Sequence, residues 1–228
     1  MSDPVNMRTA NEKARRSARE QIKLAARRLF AERGVDGVSV REIVDASGQK
    51  NHGSLNYYFG TKEGLVRELV ADGARLIDDR RNTHLDRLEN AGGPHSVREV
   101  VEALVYPSIG LAQELGEETD TYLRFIMLLS MSNRALFLEA LEGRWNSGYL
   151  RCLEHLRQLM PAMPQERKNQ RFVFLGAYLN SVLSAREHAL ADKSREHPTW
   201  TSPETLEHLV HTATVMLEAP SETSGTSS

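Results

Sequence analysis

Cysteine is nearly absent from this chain of 228 residues, and tryptophan and proline are sparse. One thiol, Cys152, cannot close an intramolecular disulfide, so the fold rests on packing, and Cys152 itself reads as a small buried hydrophobe in a helical pattern. Long apolar runs are missing too. The longest strongly apolar stretch, 125–131, is far short of the ~20 residues a membrane span requires, and the polar, basic N-terminus has no apolar segment that could serve as a signal peptide. The expectation is a cytoplasmic chain with no membrane partner. There is no phosphate-binding glycine loop, no nucleophile elbow and no carboxylate pair in a motif, which argues against an enzyme and against a cofactor. Glu204, His208 and His211 share a helix face, but a fourth ligand is lacking, so a solvated or interface face is the better reading than a metal site. Strand signals are absent as well: no period-two alternation and no hairpin turn competes with helix.

What is present is a helical pattern and an uneven distribution of charge. With 40% apolar and 26% charged residues the chain can bury a proper core. Its net charge of −2 conceals +4 over residues 1–60 and −6 over the rest. The basic end is the candidate surface for a polyanion. Ser17 and Glu20 open a first helix as a capping box, Ile22, Ala25, Ala26, Leu29 and Phe30 give it one apolar stripe, and Gly34 ends it. A second box, Ser39 with Glu42, opens a short helix with Val40, Ile43 and Val44 inward, stopped by Gly48. Two further turns from about Asn51 to Tyr58, a break at Gly60 and a cap at Thr61 lead into a long helix.

Two short helices joined by a turn make a helix-turn-helix, whose second helix can enter the major groove of DNA. Within Gly48 to Leu65 only Leu55 and Phe59, spaced i and i+4, need face a core. Gly53 and Ser54 allow close approach to DNA. Lys50, Asn51, His52, Asn56, Tyr57 and Tyr58, with Arg41 on the preceding helix, supply donors for bases and phosphates, and Thr61 and Lys62 begin a helix whose N-terminus suits a phosphate.

At these residues the chain resembles the TetR/AcrR family of bacterial one-component transcription regulators. The resemblance is carried by residues 22–30 with Gly34, by 38–43, and above all by Gly53-Ser54-Leu55-Asn56-Tyr57-Tyr58-Phe59-Gly60-Thr61-Lys62-Glu63-Gly64-Leu65. Asn56 stands where that family most often has tyrosine, and Gln49 to His52 lengthen the turn by one residue. The organisation this implies is all-α: a basic flexible arm at 1–16, a three-helix DNA-binding domain at 17–61, a larger helical effector-binding and dimerisation domain at 62–218, and a disordered tail at 219–228.

In the larger domain a third capping box, Ser96 with Glu99, opens a helix kinked at Pro107, and further helices are predicted over 119–132, 134–159, 165–190 and 203–218. The last two carry apolar residues around more of their circumference than one core needs, so Phe174, Tyr178, Leu179, Val182, Ala185, Leu206, Leu209, Val210 and Ala213 are expected at a homodimer interface, as the resemblance also implies. Tyr106, Tyr122, Phe125, Met127, Met131, Trp145 and Tyr149 would line a pocket for a small apolar effector, an inference carried mainly by the resemblance. The leading expectation is a homodimeric repressor released from a palindromic operator by that effector. An architectural DNA-binding protein or an activator without an effector is the alternative, ahead of a helical enzyme.

Overall fold

A computed structural model describes residues 17–141 and 143–220. The arm at 1–16, with Arg8, Lys13, Arg15 and Arg16, lies outside them, as do residues 221–228 of the expected tail. Ala219 and Pro220 fall within them, and the Pro220 carbonyl accepts from Arg171 at 3.4 Å. Every α or β element among the described residues is a helix.

Three helices form the head: α1 (Ala18–Arg33), α2 (Val40–Ala46) and α3 (Ser54–Phe59). Ser17 caps α1 by accepting from the Glu20 N–H, without the reciprocal bond of a full box. At α2 both halves of the box form: the Ser39 hydroxyl accepts from the Glu42 N–H while the Glu42 carboxylate accepts from the Ser39 N–H at 2.8 Å. These bonds, with Arg33 alongside, hold the exposed Glu42 carboxyl down at about 2. The long α4 (Lys62–Asn90) starts at Thr61, whose hydroxyl accepts from the Gly64 N–H at 3.0 Å. Gly64 is required there because a Cβ would sit 2.2 Å from the Phe59 carbonyl oxygen, closer than any side chain can approach.

The body comprises α5 (Val97–Val105), α6 (Tyr122–Ser132), α7 (Arg134–Leu141), α8 (Ser147–Leu159), α9 (Gln165–Ala191), the single turn α10 (Pro198–Thr201) and α11 (Glu204–Glu218). Two expectations are corrected. Pro107 does not kink a continuing helix; α5 ends at Val105 and a 3-10 turn, Tyr106–Ser108, follows, since proline lacks the N–H that the next helical bond needs. The helix predicted over 134–159 is two helices, separated by a turn in which Gly143 takes φ +66°.

The core has two parts. One joins Ile22, Phe30, Ile43, Leu55 and Leu65 of the head to Tyr122, Phe125 and Leu129 of α6 and Leu136 of α7. Packing therefore runs across the boundary expected at residue 61, and head and body share apolar interior. The other joins Leu85 on α4 to α5, α8, α9 and α11. Arg80 and Arg81, adjacent on α4, tie these layers together: Arg81 donates to the Ala103 and Leu104 carbonyls at the end of α5, and Arg80 to those of Pro107, Ile109 and Gly110. The orphan carbonyls at a helix end thus find cationic donors. Cys152 is buried in this second core with its thiol pushed up to about 11 by desolvation, consistent with a packing role.

Thr121 gives α6 no side-chain cap. A carboxylate from α9 does that work: Glu187, itself buried, accepts from the Leu123 N–H at 3.1 Å and the Arg124 N–H at 2.9 Å. Burial pushes its pKa up to about 7; the two N–H bonds and the Arg124 charge oppose that rise, and Asp120 adds to it. An unfolded glutamate titrates near 4.3, so between that pH and about 7 the folded chain holds a proton the unfolded chain has released. This group's contribution is therefore greatest at low pH and declines as pH rises through the window, by up to ~3 kcal/mol. Denaturant melts at pH 5.5 and 8 should show that decline, and Glu187→Gln should flatten it; identical pH slopes in the two proteins would contradict the assignment.

Candidate nucleic-acid interface

The head presents one surface that its own core does not consume. Leu55 and Phe59 are the buried residues of α3, so its remaining side chains turn outward. Tyr57 is 82% exposed and meets the Tyr58 ring edge-on at 4.9 Å between centroids. Two neighbouring phenols held this way form a stiff projection with hydroxyls at its tips, at low entropic cost for contact. Lys50, His52 and Asn56 are exposed beside them, and Arg41 on α2 is exposed with Asp45 as a loose neighbour at 3.7 Å. His52 lies 3.8 Å from the same Asp45.

Three expected contact residues have internal duties instead. Asn51 builds the turn: its side-chain oxygen accepts from the Gly53 N–H at 2.8 Å and its carbonyl from the Ser54 hydroxyl at 2.6 Å. Ser54 is occupied by that second bond. Lys62, expected on phosphate, turns inward, and its ammonium donates to the Val35 and Val38 carbonyls, both at 3.0 Å. It fastens the start of α4 to the α1–α2 loop, because an ammonium can satisfy the Val38 carbonyl and add a second donor to the Val35 carbonyl, which also accepts from the Val38 N–H at 3.3 Å. This tie spans 24 and 27 residues of chain, and no local pattern announces it.

The cations of α1 divide in the same way. Lys23 and Arg27 are buried, pairing with Asp72 of α4, and Arg27 also pairs with Glu117 in the segment before α6. Glu117 accepts from the Thr121 hydroxyl as well. Arg33 is exposed beside Glu42, and Arg28 is exposed as well. Arg28 lines a cleft of about 490 Å³ between α1, α2 and residues 116–121. A second cleft, about 540 Å³, lies on the other side of that segment against α9, and both include Gly116, Glu117, Glu118 and Thr119 in their walls.

The expected effector residues do not gather around either cleft. Tyr122 and Phe125 are buried in the core shared with the head, and the Tyr122 hydroxyl donates to the Val70 carbonyl at 2.8 Å. Met131 is 76% exposed, Tyr106 is exposed at the 3-10 turn, Tyr149 packs on the second core, and Met127 and Trp145 are half-buried. Two of the seven, Tyr122 and Phe125, fill the interior, and the others lie at or near the surface away from both clefts. The expected dimer face also needs correction. Leu179, Leu209, Val210 and Ala213 are buried within the single chain, and Leu206, Tyr178 and Val182 are half-buried. Phe174 and Ala185 do lie outward, together with Val173 and Ala177 on α9 and His208, His211 and Val215 on α11. The Tyr178 hydroxyl and the Thr212 hydroxyl, 2.7 Å apart, join the two helices beneath this face.

Comparison with known proteins matches both parts of the chain. The family of bacterial regulatory proteins, tetR family, matches residues 22–69, and the tetracyclin repressor-like C-terminal domain matches residues 102–215. The HTH-type transcriptional repressor AcnR of Corynebacterium glutamicum is 40% identical over 63 residues, which cover 27% of this chain; the chain spans about a third (33%) of that relative's length. The HTH-type transcriptional repressor KstR2 of Rhodococcus jostii is 30% identical over 154 residues, 68% of this chain and 71% of that protein. The solved structure of the TetR-family transcriptional regulator PfmR from Thermus thermophilus shares the fold, with a TM-score of 0.55 at 15% identity, over 86% of this chain and 96% of that one.

Proposed function

Because the chain belongs to the TetR family of bacterial regulatory proteins and is a DNA-binding transcription regulator, we propose that it acts as a homodimeric repressor that leaves a palindromic operator when a small effector binds. Membership implies a regulator without catalysis. The observation that carries the reading is the outward surface of α3 and the turn before it, where Lys50, His52, Asn56, Tyr57 and Tyr58 stand clear of a core that takes only Leu55 and Phe59. In this reading residues 17–61 are the reading head, Tyr57, Lys50 and Arg41 meet phosphates, and His52, Asn56 and Tyr58 face base edges through the groove that Gly53 lets the backbone approach. Thr61, exposed as the cap of α4, adds its helix N-terminus to a phosphate. Residues 62–218 respond to the effector and dimerise through α9 and α11. Two heads then meet half-sites one helical turn apart, ~34–36 Å, and the effector favours a dimer in which that spacing is lost.

Selection of duplexes from a random pool by the purified protein tests the reading, with enrichment of one palindrome expected and no enrichment contradicting it. On the selected duplex Lys50→Ala should weaken all sequences alike and lower the salt slope by about one unit, since each neutralised phosphate releases ~0.9 counterion. Replacing His52 or Asn56 should change which bases are preferred. Lys62→Ala should leave the salt slope unchanged and lower the thermal midpoint instead, because it strands the Val38 carbonyl and takes one of two donors from the Val35 carbonyl.

A further inference from the structure

The cleft of about 540 Å³ between residues 110–120 and the end of α9 holds, beside its acidic side chains, two cations to which the fold gives no partner among the described residues. Its acidic members are mostly engaged. Glu117 holds Arg27 and Thr121, Asp120 accepts from the Ala112 N–H at 2.7 Å, and Glu187 caps α6, while Glu118 stands exposed to water. Arg186 is different. It lines the cleft half-buried with no hydrogen bond or ion pair to any described residue, and its Nε is sealed from solvent without an acceptor. A half-buried guanidinium with no protein partner retains its other donors for a ligand in the cleft, and its planar fork matches a carboxylate. Lys193, also in the lining, is exposed and free of partners among the described residues, and Leu190 and Ala112 supply apolar wall.

We propose that this cleft binds a small organic acid, its carboxylate on Arg186 with Lys193 beside it and its short aliphatic part against Leu190 and Ala112. The volume is that of a small-molecule site. The inference rests on the ligand-response reading for its consequence, because the wall that would meet the acid carries Glu117, the buried partner of Arg27 in the head. It names the class of effector as anionic, where the aromatic residues of the body alone suggest an apolar one.

Calorimetric titration of the full chain with hexanoate, hexylamine and inorganic phosphate tests it. Hexanoate should bind, and hexylamine should not. Arg186→Gln should weaken hexanoate at least 10-fold, Arg186→Lys less, and Lys193→Gln about 3-fold; circular dichroism and sedimentation establish that each variant keeps its helices and its assembly state, and the exposed Lys193 offers a variant outside the packed interior. No hexanoate binding, equal binding of hexylamine, phosphate binding in preference to hexanoate, or affinity unmoved by both Arg186→Gln and Lys193→Gln would overturn the site. Arg186-dependent binding of hexanoate that leaves operator affinity unchanged would uphold the cleft and sink release by effector, so the two readings fail separately.

Discussion

Phe174→Asp combined with Val215→Asp should convert the protein to a monomer and reduce operator affinity by 100-fold or more. Phe174 and Val215 are 59% and 50% exposed on neighbouring helices, so the charges enter water in the isolated chain at little cost to its fold. In an assembled pair they would be desolvated without partners, a penalty of several kcal/mol. A single head retains only half of the phosphate and base contacts, and affinity falls accordingly. Sedimentation and duplex titration measure the two effects. The contrast is Leu179→Asp: that side chain is buried within one chain, so it should unfold the body rather than split a dimer. A double variant that stays dimeric, or an unsubstituted protein that sediments as a monomer at micromolar concentration, would refute the outward face of α9 and α11 as the interface.

Gly73→Ala should damage the protein severely for the addition of one methyl group. An ideal Cβ at that point of α4 would lie 2.2 Å from the Tyr122 ring, which is anchored by its hydroxyl on the Val70 carbonyl. The ring is fully enclosed, its hydroxyl pushed above its ordinary range by that burial, and has no room to retreat. Overpacking of this kind costs ~1–3 kcal/mol even when the neighbour yields, and here the Val70 hydrogen bond is lost as well. The thermal midpoint should drop sharply and operator binding should weaken with it, because α6 packs on the head. Tyr122→Leu should recover part of the loss in the double variant. A Gly73→Ala protein with an unchanged melt would show that α4 and α6 separate freely.

These two expectations differ in how far the sequence foreshadows them. Leu55 and Phe59 stand out because their i, i+4 spacing is the only apolar pair in a polar stretch, and the boxes at Ser39 and Ser96 are local patterns with local bonds. The family resemblance rests on those same contiguous residues. On α9 periodicity is ambiguous: Leu175, Leu179 and Leu183 and the neighbouring Phe174, Ala177 and Ala185 make two stripes of similar polarity, and only the packing of α11 selects which is inward. The aromatic side chains of the body were legible as apolar but not as core or lining, since that depends on what surrounds them. Least legible were the ties between distant residues, such as Lys62 to Val35, Arg27 to Glu117 and Glu187 to the start of α6. In each the partner is named by the fold, and a lysine or glutamate in isolation reads as solvated.

The placement of Gly73 also sets a mechanical ratio. Helix α4 is 29 residues long, ~43 Å, and is gripped at Gly73 by Tyr122 and farther along by Arg80 and Arg81. From Gly73 to Lys62 the arm is ~16 Å, so a swivel of ~10° about the Tyr122 contact moves the head end by ~3 Å. In a symmetric pair both heads swing, and their separation can change by up to ~6 Å against a half-site repeat of ~34–36 Å. Because Leu65, Val66, Leu69 and Val70 on that arm share their core with α6 and α7, such a swivel would have to carry those helices along. In a symmetric pair it would reach the far end of the rod as a mismatch about twice as wide as a hydrogen bond is long.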